Sequence, residues 1–453
     1  IELARKAFNY LKDKGELDIS KVTFNSYNRR PKPPFTTDTL LQASGSKYNW
    51  RPSNTMRIAQ GLYEAGHITY MRTDSTRTSA SSRDKAKKFI TSKWSIDFLG
   101  KGVIGGKPKS NIQDAHEAIR PTNPLSELPN GLDDSQKKLY RLIWSRFIAS
   151  QMCDSEWTSM KVQSDLEVFD KELFLRFGTT KADGETKWRV SPGWESAFEA
   201  IDKTPPLSPP TPEITEGKSI KLDKKEDNPK LIEDKTKPPA RYTQHGIVAL
   251  MKSEGIGRPS TYAATIKKLL DRKYCSDNKG RLTPTEQGIL LCDEVVPFYN
   301  SDNEKMNLFS SSFTAEMESD LDQIETGQQK GSLVWDGFVK SFRALHDSAI
   351  LKKKEKPTKR QLDYYERLAT LVSDTELGKI IGDEEPSKMN GERIGEVIDK
   401  LRKATEGVAI PASAKQISYA QSLAKSLEMD ESVACKLVGL SSFSELTGGK
   451  SGT

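Results

Sequence analysis

Tyr70 and Arg72 stand two positions apart in the segment Ile68–Arg72 (ITYMR), and Thr73-Asp74-Ser75-Thr76 follows directly. In an extended segment, residues i and i+2 lie on one side. A phenol beside a fixed guanidinium suits nucleophilic attack on a phosphodiester, because Arg neutralises charge on the phosphoryl oxygens during transfer. The free phenol, with a pKa of about 10, needs such help near pH 7. Taken singly, a tyrosine more often packs by its ring and bonds through its hydroxyl. The polar residues after Arg72 read as a helix-capping corner. A second candidate is Gly255-Ile256-Gly257-Arg258-Pro259-Ser260. Its glycines permit close backbone approach and a following helix start attracts phosphate, although the same glycines also serve any helix–helix turn. Asp320 and Asp322 form a D-x-D that resembles a magnesium pair, but two residues apart on a helix do not share a face. They are rejected as a metal site. Cys153, Cys275, Cys292 and Cys435 never form a CxxC, which argues against a zinc ribbon.

The elements that must position these residues follow from periodicity. Residues 21–27 (KVTFNSY) alternate like a half-buried strand and run into a basic, proline-rich linker. Thr36 or Thr37 caps a short helix through Leu40 and Leu41. Met56, Ala59, Leu62 and Tyr63 mark an amphipathic helix that Gly66 ends. A basic helix is expected near 82–94 and another over 135–151. Strands follow at 157–163, 167–177 and 187–190. Helix 244–253, turn 255–257, helix 260–272 and a hairpin at 274–282 together suggest a winged-helix unit, and a further helix spans 313–324. Residues 360–369 and 415–424 repeat at an offset of 55, giving two small helical modules. The 453 residues carry 70 Lys and Arg against 63 Asp and Glu, a net +7 that favours a polyanionic partner. No apolar run approaches about 18 residues, so no membrane-spanning helix is expected. The chain begins at Ile1, which reads as a processed chain or a fragment.

GHITYMRTDSTRTS (66–79), DAHEAIRPT (114–122), KPPARYT (237–243), GIGRPSTYAATI (255–266) and FTAEMESDLDQIETG (313–327), in this order, resemble the type IA DNA topoisomerases. PPFTTDTLLQAS (33–44) and QKKLYRLIWSRFIASQM (136–152) match as well. The resemblance implies transient cleavage of single-stranded DNA through a 5′-phosphotyrosine, strand passage and religation, relaxing negatively supercoiled DNA without ATP. It makes Tyr70 the nucleophile and Arg72 its partner at the scissile phosphate. Thr73, Asp74 and Ser75 buttress the loop, and His116, Glu117 and Arg120 lie near the cleavage region. Arg241, Arg258, Ser260 and Thr261 would contact DNA. The implied fold is mixed α and β and multidomain: a helical domain carrying the catalytic Tyr, a β hinge domain and a winged-helix-like helical domain. The expected boundaries are 1–35 for a strand and linker of the hinge, 36–151 for the Tyr domain, 152–236 for the hinge and 237–350 for the DNA-binding domain. Residues 351–453 hold the repeats, at 357–405 and 411–453. Nothing before Tyr70 matches the family's Toprim domain, so Mg²⁺ is expected on a Toprim-bearing segment or subunit, with no metal ligand, zinc or ATP site in this chain. The resemblance further implies DNA as partner, no membrane, and a cytoplasmic, nucleoid-associated protein.

A tyrosine recombinase needs His-x-x-Arg, whereas three residues separate His116 from Arg120, and Tyr70 comes early. That reading fails. The stronger rival is a non-catalytic single-stranded DNA-binding gate subunit or scaffold. The repeats are expected to bind DNA in place of zinc ribbons, with Tyr364 and Tyr419 in their cores and Tyr365 exposed for stacking.

Overall fold

The computed structural model describes residues 2–103, 117–166, 180–201, 208–209, 214–222, 230–299, 307–355 and 357–450. They fall into two compact units that divide at 284/285, inside the expected 237–350 domain.

The first unit opens with helix α1 (Glu2–Lys14), which the sequence reading did not anticipate, and strand β1 (Glu16–Asp18). Strand β2 (Lys21–Arg29) follows. Helices α2 (Thr37–Tyr48), α3 (Pro52–Glu64), α4 (Ala80–Lys93) and α5 (Asp134–Ala149) form a helical region. The chain then returns as β3 (Ser155–Leu166) and β4 (Thr180–Ser191). These make an antiparallel sheet in the order β2-β3-β4, with Phe24 opposite Met160 and Thr158 opposite Trp188. β2 and β3 are neighbours although the whole helical region separates them in sequence. Both ends of that region are therefore tied at one place, where Trp194 Nε1 donates to the Arg29 carbonyl at 2.8 Å and Arg29 lies 3.9 Å over the Trp157 ring. Phe24 and Val190 remain mostly exposed, so the sheet is a strap holding the helical region more than a core of its own. The strand expected at 167–177 lies outside the described residues. A short strand, β5 (Ser219–Lys221), pairs with β1.

The core lies among α2 to α5. Leu40, Ile58, Leu62, Leu139, Ile143 and Phe147 are almost completely buried. The stripes 58/62 and 139/143/147 have the helical i, i+4 spacing that puts side chains on one face. Asp133 starts α5 with a reciprocal capping box to Gln136. Helices α6 (Gln244–Ser253) and α7 (Tyr262–Asp271) and the hairpin of β6 (Cys275–Asn278) and β7 (Arg281–Pro284) complete the unit. Val248 and Tyr262 from α6 and α7 pack on Leu41 of α2.

The second unit runs through α8 (Glu286–Leu290), α9 (Ser311–Glu325) and α10 (Gly331–Glu355). The long α10 passes through the expected 350/351 boundary, with residues 352–355 inside the helix. Lysines and glutamate are good helix formers, and nothing before Pro357 stops the helix. The repeats follow as α11 (Lys359–Ala369), α12 (Asp374–Ile381), α13 (Gly391–Ala404), β8 (Ala409–Pro411), α14 (Ala414–Ser426), α15 (Glu431–Leu437) and β9 (Thr447–Lys450). The tyrosines differ from expectation. Tyr365 is 8% exposed in the first repeat's core, while Tyr419 is 71% exposed. Tyr365 and Leu368 are three apart and face α13, and that packing decides which tyrosine is covered. Tyr364 is half-buried, with the Arg367 guanidinium 5.4 Å from its ring centre.

Candidate active site around Tyr70

Tyr70 sits in an irregular segment between α3 and α4. From 70 to 75 the side chains alternate. Met71, Thr73 and Ser75 are buried; Tyr70 is half-buried; Arg72 and Asp74 are exposed. Tyr70, Arg72 and Asp74 thus project away from the protein on one side, as the i, i+2 spacing predicts. The Tyr70 ring packs edge-on against Tyr63, with centroids 5.3 Å apart. Arg72 and Asp74 have no hydrogen-bond or ion-pair partner among the described residues.

The inward residues hold this display in place. Thr37 Oγ1 donates to the Met71 carbonyl at 2.8 Å and accepts from the Thr73 N–H at 2.9 Å. The Thr37 N–H donates to the Thr73 carbonyl at 2.8 Å. Thr73 Oγ1 accepts from the Ser75 N–H at 3.0 Å, and Ser75 Oγ from the Arg77 N–H at 3.2 Å. Thr73 and Ser75 therefore fold the loop on itself as successive hydroxyl turns. They do not cap α4; Ser79 does. Replacing Thr37 by Val keeps the shape and leaves the buried Thr73 N–H without its hydroxyl acceptor. Thr37→Val should cost about 2–3 kcal/mol in urea unfolding, and Thr37→Ser under about 1. Equal stability of Thr37→Val and the parent would contradict this role.

Segment 117–122 closes the other side. Ile68 bridges to Pro121 and Phe35 to Ile119. Thr69 exchanges hydrogen bonds with Arg120, and its hydroxyl donates to the Ala118 carbonyl at 2.7 Å. Arg120, largely buried, holds Glu117 at 2.5 Å and donates to the Pro121 carbonyl at 3.0 Å. Arg120 also reaches Ser79 Oγ at 3.5 Å, so Glu117 and Arg120 are tied into the loop's own contacts. His116 lies outside the described residues. Arg146 was not foreseen. Burial pulls it down to about 10, so it remains a cation at pH 7, set 4.4 Å over the Phe35 ring.

The same helix α2 that clamps the Tyr70 loop at its start meets α6 along its length and touches α7 at Leu41. Asp38, almost completely buried, accepts from Thr36 Oγ1 and from Lys252 Nζ of α6, each at 2.7 Å. Arg258 stands in the turn before α7, where its N–H donates to Thr261 Oγ1 at 2.8 Å and its carbonyl receives the Thr261 and Tyr262 N–H groups. Gly257 has φ of 79°, a conformation open to glycine at no steric cost. The helix begins at Tyr262, two residues later than expected. Ser260 and Thr261 are exposed; so is Arg241, whose carbonyl accepts from Arg281 Nη1 at 2.8 Å. Lys252 carried no motif, and Asp38, although it lies within PPFTTDTLLQAS (33–44), was given no role.

His245 of α6 lies against Gly45 of α2. Burial, and then the Arg281 charge, hold its pKa below the ordinary 6.5. The folded chain resists a proton that the unfolded chain takes up. Its contribution is therefore complete above about pH 6.5 and lost as pH falls toward the lowered folded value. Unfolding series from pH 7.5 to 5.5 should show a stability decline that is shallower in His245→Gln.

A family model described as DNA topoisomerase matches residues 1–336. The chain belongs to the bacterial type IA DNA topoisomerases. It is 38% identical over 346 residues to DNA topoisomerase 1 of Thermotoga maritima, covering 73% of this chain and 50% of that protein. DNA topoisomerase 1 of Fervidobacterium islandicum is 36% identical over 346 residues, covering 72% of this chain and 45% of its own. The structure of full-length topoisomerase I from Thermotoga maritima superposes with a TM-score of 0.60 at 35% identity, over 75% of this chain and 54% of that one. The chain thus spans about half the length of these topoisomerases.

Proposed function

We propose that this chain carries the nucleophile of a type IA topoisomerase, with Tyr70 cutting one DNA strand and Arg72 binding the scissile phosphate. The observation that carries this reading is the outward display of Tyr70 and Arg72 on one side of a loop whose intervening residues are buried and hydrogen-bonded. Tyr70 Oη forms a bond to phosphorus as the P–O3′ bond breaks; the phenol gives up its proton and the departing O3′ gains one. The 3′ hydroxyl reverses the step after a strand has passed. One phosphoester replaces another, so the cycle needs no ATP. Arg72 offsets charge on the non-bridging oxygens in the transition state. Arg258, with Ser260, Thr261 and Arg241, lines the DNA path on elements packed against the helix that clamps the Tyr70 loop.

Among the described residues no three His, Cys, Asp or Glu side chains converge to hold a metal ion. Mg²⁺ belongs on a Toprim-bearing segment or subunit, without which the chain is inactive in cleavage. The substrate is single-stranded and negatively supercoiled DNA, and the setting is the nucleoid in the cytoplasm. No described helix is long and apolar enough to cross a membrane.

The test supplies the Toprim segment of a relative with Mg²⁺ and a single-stranded oligonucleotide labelled on one side of the cleavage point. Label 3′ of the break, next to the 5′ phosphate, should become bound to protein, and Arg72→Ala should lower the yield by about 100-fold. Label bound from the other side would contradict the chemistry. Absence of any adduct would favour a DNA-binding scaffold.

A further inference from the structure

A run of hydrogen bonds links the turn that carries Arg258 to the loop that carries Tyr70. The Gly255 N–H donates to the Lys252 carbonyl at 3.2 Å and the Ile256 N–H to the Met251 carbonyl at 2.8 Å, so the last turn of α6 fixes where the Gly255–Arg258 turn begins. From the same residue, Lys252 Nζ donates to Asp38 Oδ1 at 2.7 Å, and Thr36 Oγ1 donates to that oxygen at 2.7 Å. Next to both, Thr37 holds the Met71 carbonyl and the Thr73 N–H with its hydroxyl and the Thr73 carbonyl with its N–H. Lys252 therefore stands between the turn and the clamp on the Tyr70 loop.

The tie contributes direction more than stability. The Asp38 side chain is 5% exposed and that of Lys252 45%. Burying a carboxylate costs about as much as such a partner returns, so the pair adds little net stability. Around it α2 and α6 meet through Leu41, Val248 and Met251. Attraction between such apolar side chains has no direction and lets helices slide. An ammonium held to a fixed carboxylate allows far less. Phosphoryl transfer makes this register matter, because about 1 Å of misplacement between nucleophile and phosphate can cost about 100-fold in rate.

We propose that Lys252 is a positioning residue for strand cleavage. Acting through Asp38, it holds the Arg258 turn and the Tyr70 loop at one separation, so that DNA seated at the turn presents its phosphate to the phenol. The proposal rests on the reading of Tyr70 as the nucleophile and of the turn as part of the DNA path.

Two measurements on the whole chain test it, with melting curves to check that each variant folds. The first needs neither DNA nor a Toprim segment: hydrogen exchange followed by mass spectrometry in Lys252→Met, Asp38→Asn and the double variant. Each should quicken exchange across 71–77, where the N–H groups of Thr73, Ser75 and Arg77 are bonded, at least about threefold, and leave α5 unchanged. The second supplies a Toprim segment, Mg²⁺ and saturating oligonucleotide. Each variant should slow single-turnover formation of the Tyr70 adduct about tenfold or more, with single-strand affinity within about twofold of the parent. Lys252→Arg keeps the cation and should recover most of the rate. The double variant should be no slower than the worse single one, because one tie is broken either way. Unchanged exchange across 71–77, or exchange that quickens equally in α5, overturns the proposal. So does an unchanged saturated rate, or a loss confined to affinity. Losses that multiply in the double variant overturn it too, since Lys252 would then act on DNA and not through Asp38. A parent chain that forms no adduct at Tyr70 sinks the nucleophile reading instead, and the exchange result still decides the tie.

Discussion

Tyr70→Phe, assayed with a Toprim segment and Mg²⁺ supplied, should abolish the covalent DNA adduct while single-strand affinity stays unchanged. Removing one hydroxyl deletes the nucleophile, an effect on the order of 10³-fold or more in cleavage. It alters neither charge nor the ring contact with Tyr63. The loop is held through Thr37, Thr73 and Ser75, so its backbone should be undisturbed. A Phe variant that still forms the adduct would assign the attack to another residue. A Phe variant that loses DNA binding as well would make Tyr70 a binding residue.

Gly45→Ala should be among the most destabilising single-atom additions in the first unit. A Cβ there would fall within the van der Waals shell of both the ring and the Cβ of His245, so turning the imidazole aside cannot relieve it. Helices α2 and α6 must separate. Overpacking of this kind costs about 1–3 kcal/mol, with the upper end expected because a backbone shift is required. It would also strain the Asp38–Lys252 pair. Only His245→Gly clears the space, since Ala keeps the clashing atom. In thermal melts, Gly45→Ala with His245→Gly should be more stable than the sum of the two single losses. Strict additivity would show that the close approach is not what limits α2 against α6.

The sequence made some features legible because one local cause dominates them. The Ala59/Leu62 face of α3, the helix over 135–151, the cap at Thr36 and the strand at 21–27 each follow from helix or strand period and from side-chain oxygens near N–H groups. The outward side of Tyr70 and Arg72 was legible for the same reason. What stayed hidden depends on tertiary partners. Thr73 and Ser75 have the composition of a cap, yet with Thr37 as neighbour they brace the loop, and Ser79 takes the cap. Lys252 pairs with Asp38 across more than two hundred residues, which no local pattern encodes. Tyr364 and Tyr365 both lie within reach of the Leu368 face, and only the position of α13 decides that Tyr365 is covered.

The most direct measurement is mass spectrometry of the trapped adduct. The chain, supplied with a Toprim segment and Mg²⁺, is denatured during cleavage of a single-stranded oligonucleotide, digested with nuclease and protease, and searched for the linked peptide. The expected product is a nucleotide joined through its 5′ phosphate to Tyr70, in the peptide that ends at Arg72. A linkage at Tyr63 or any other residue, or through a 3′ phosphate, would contradict the assignment.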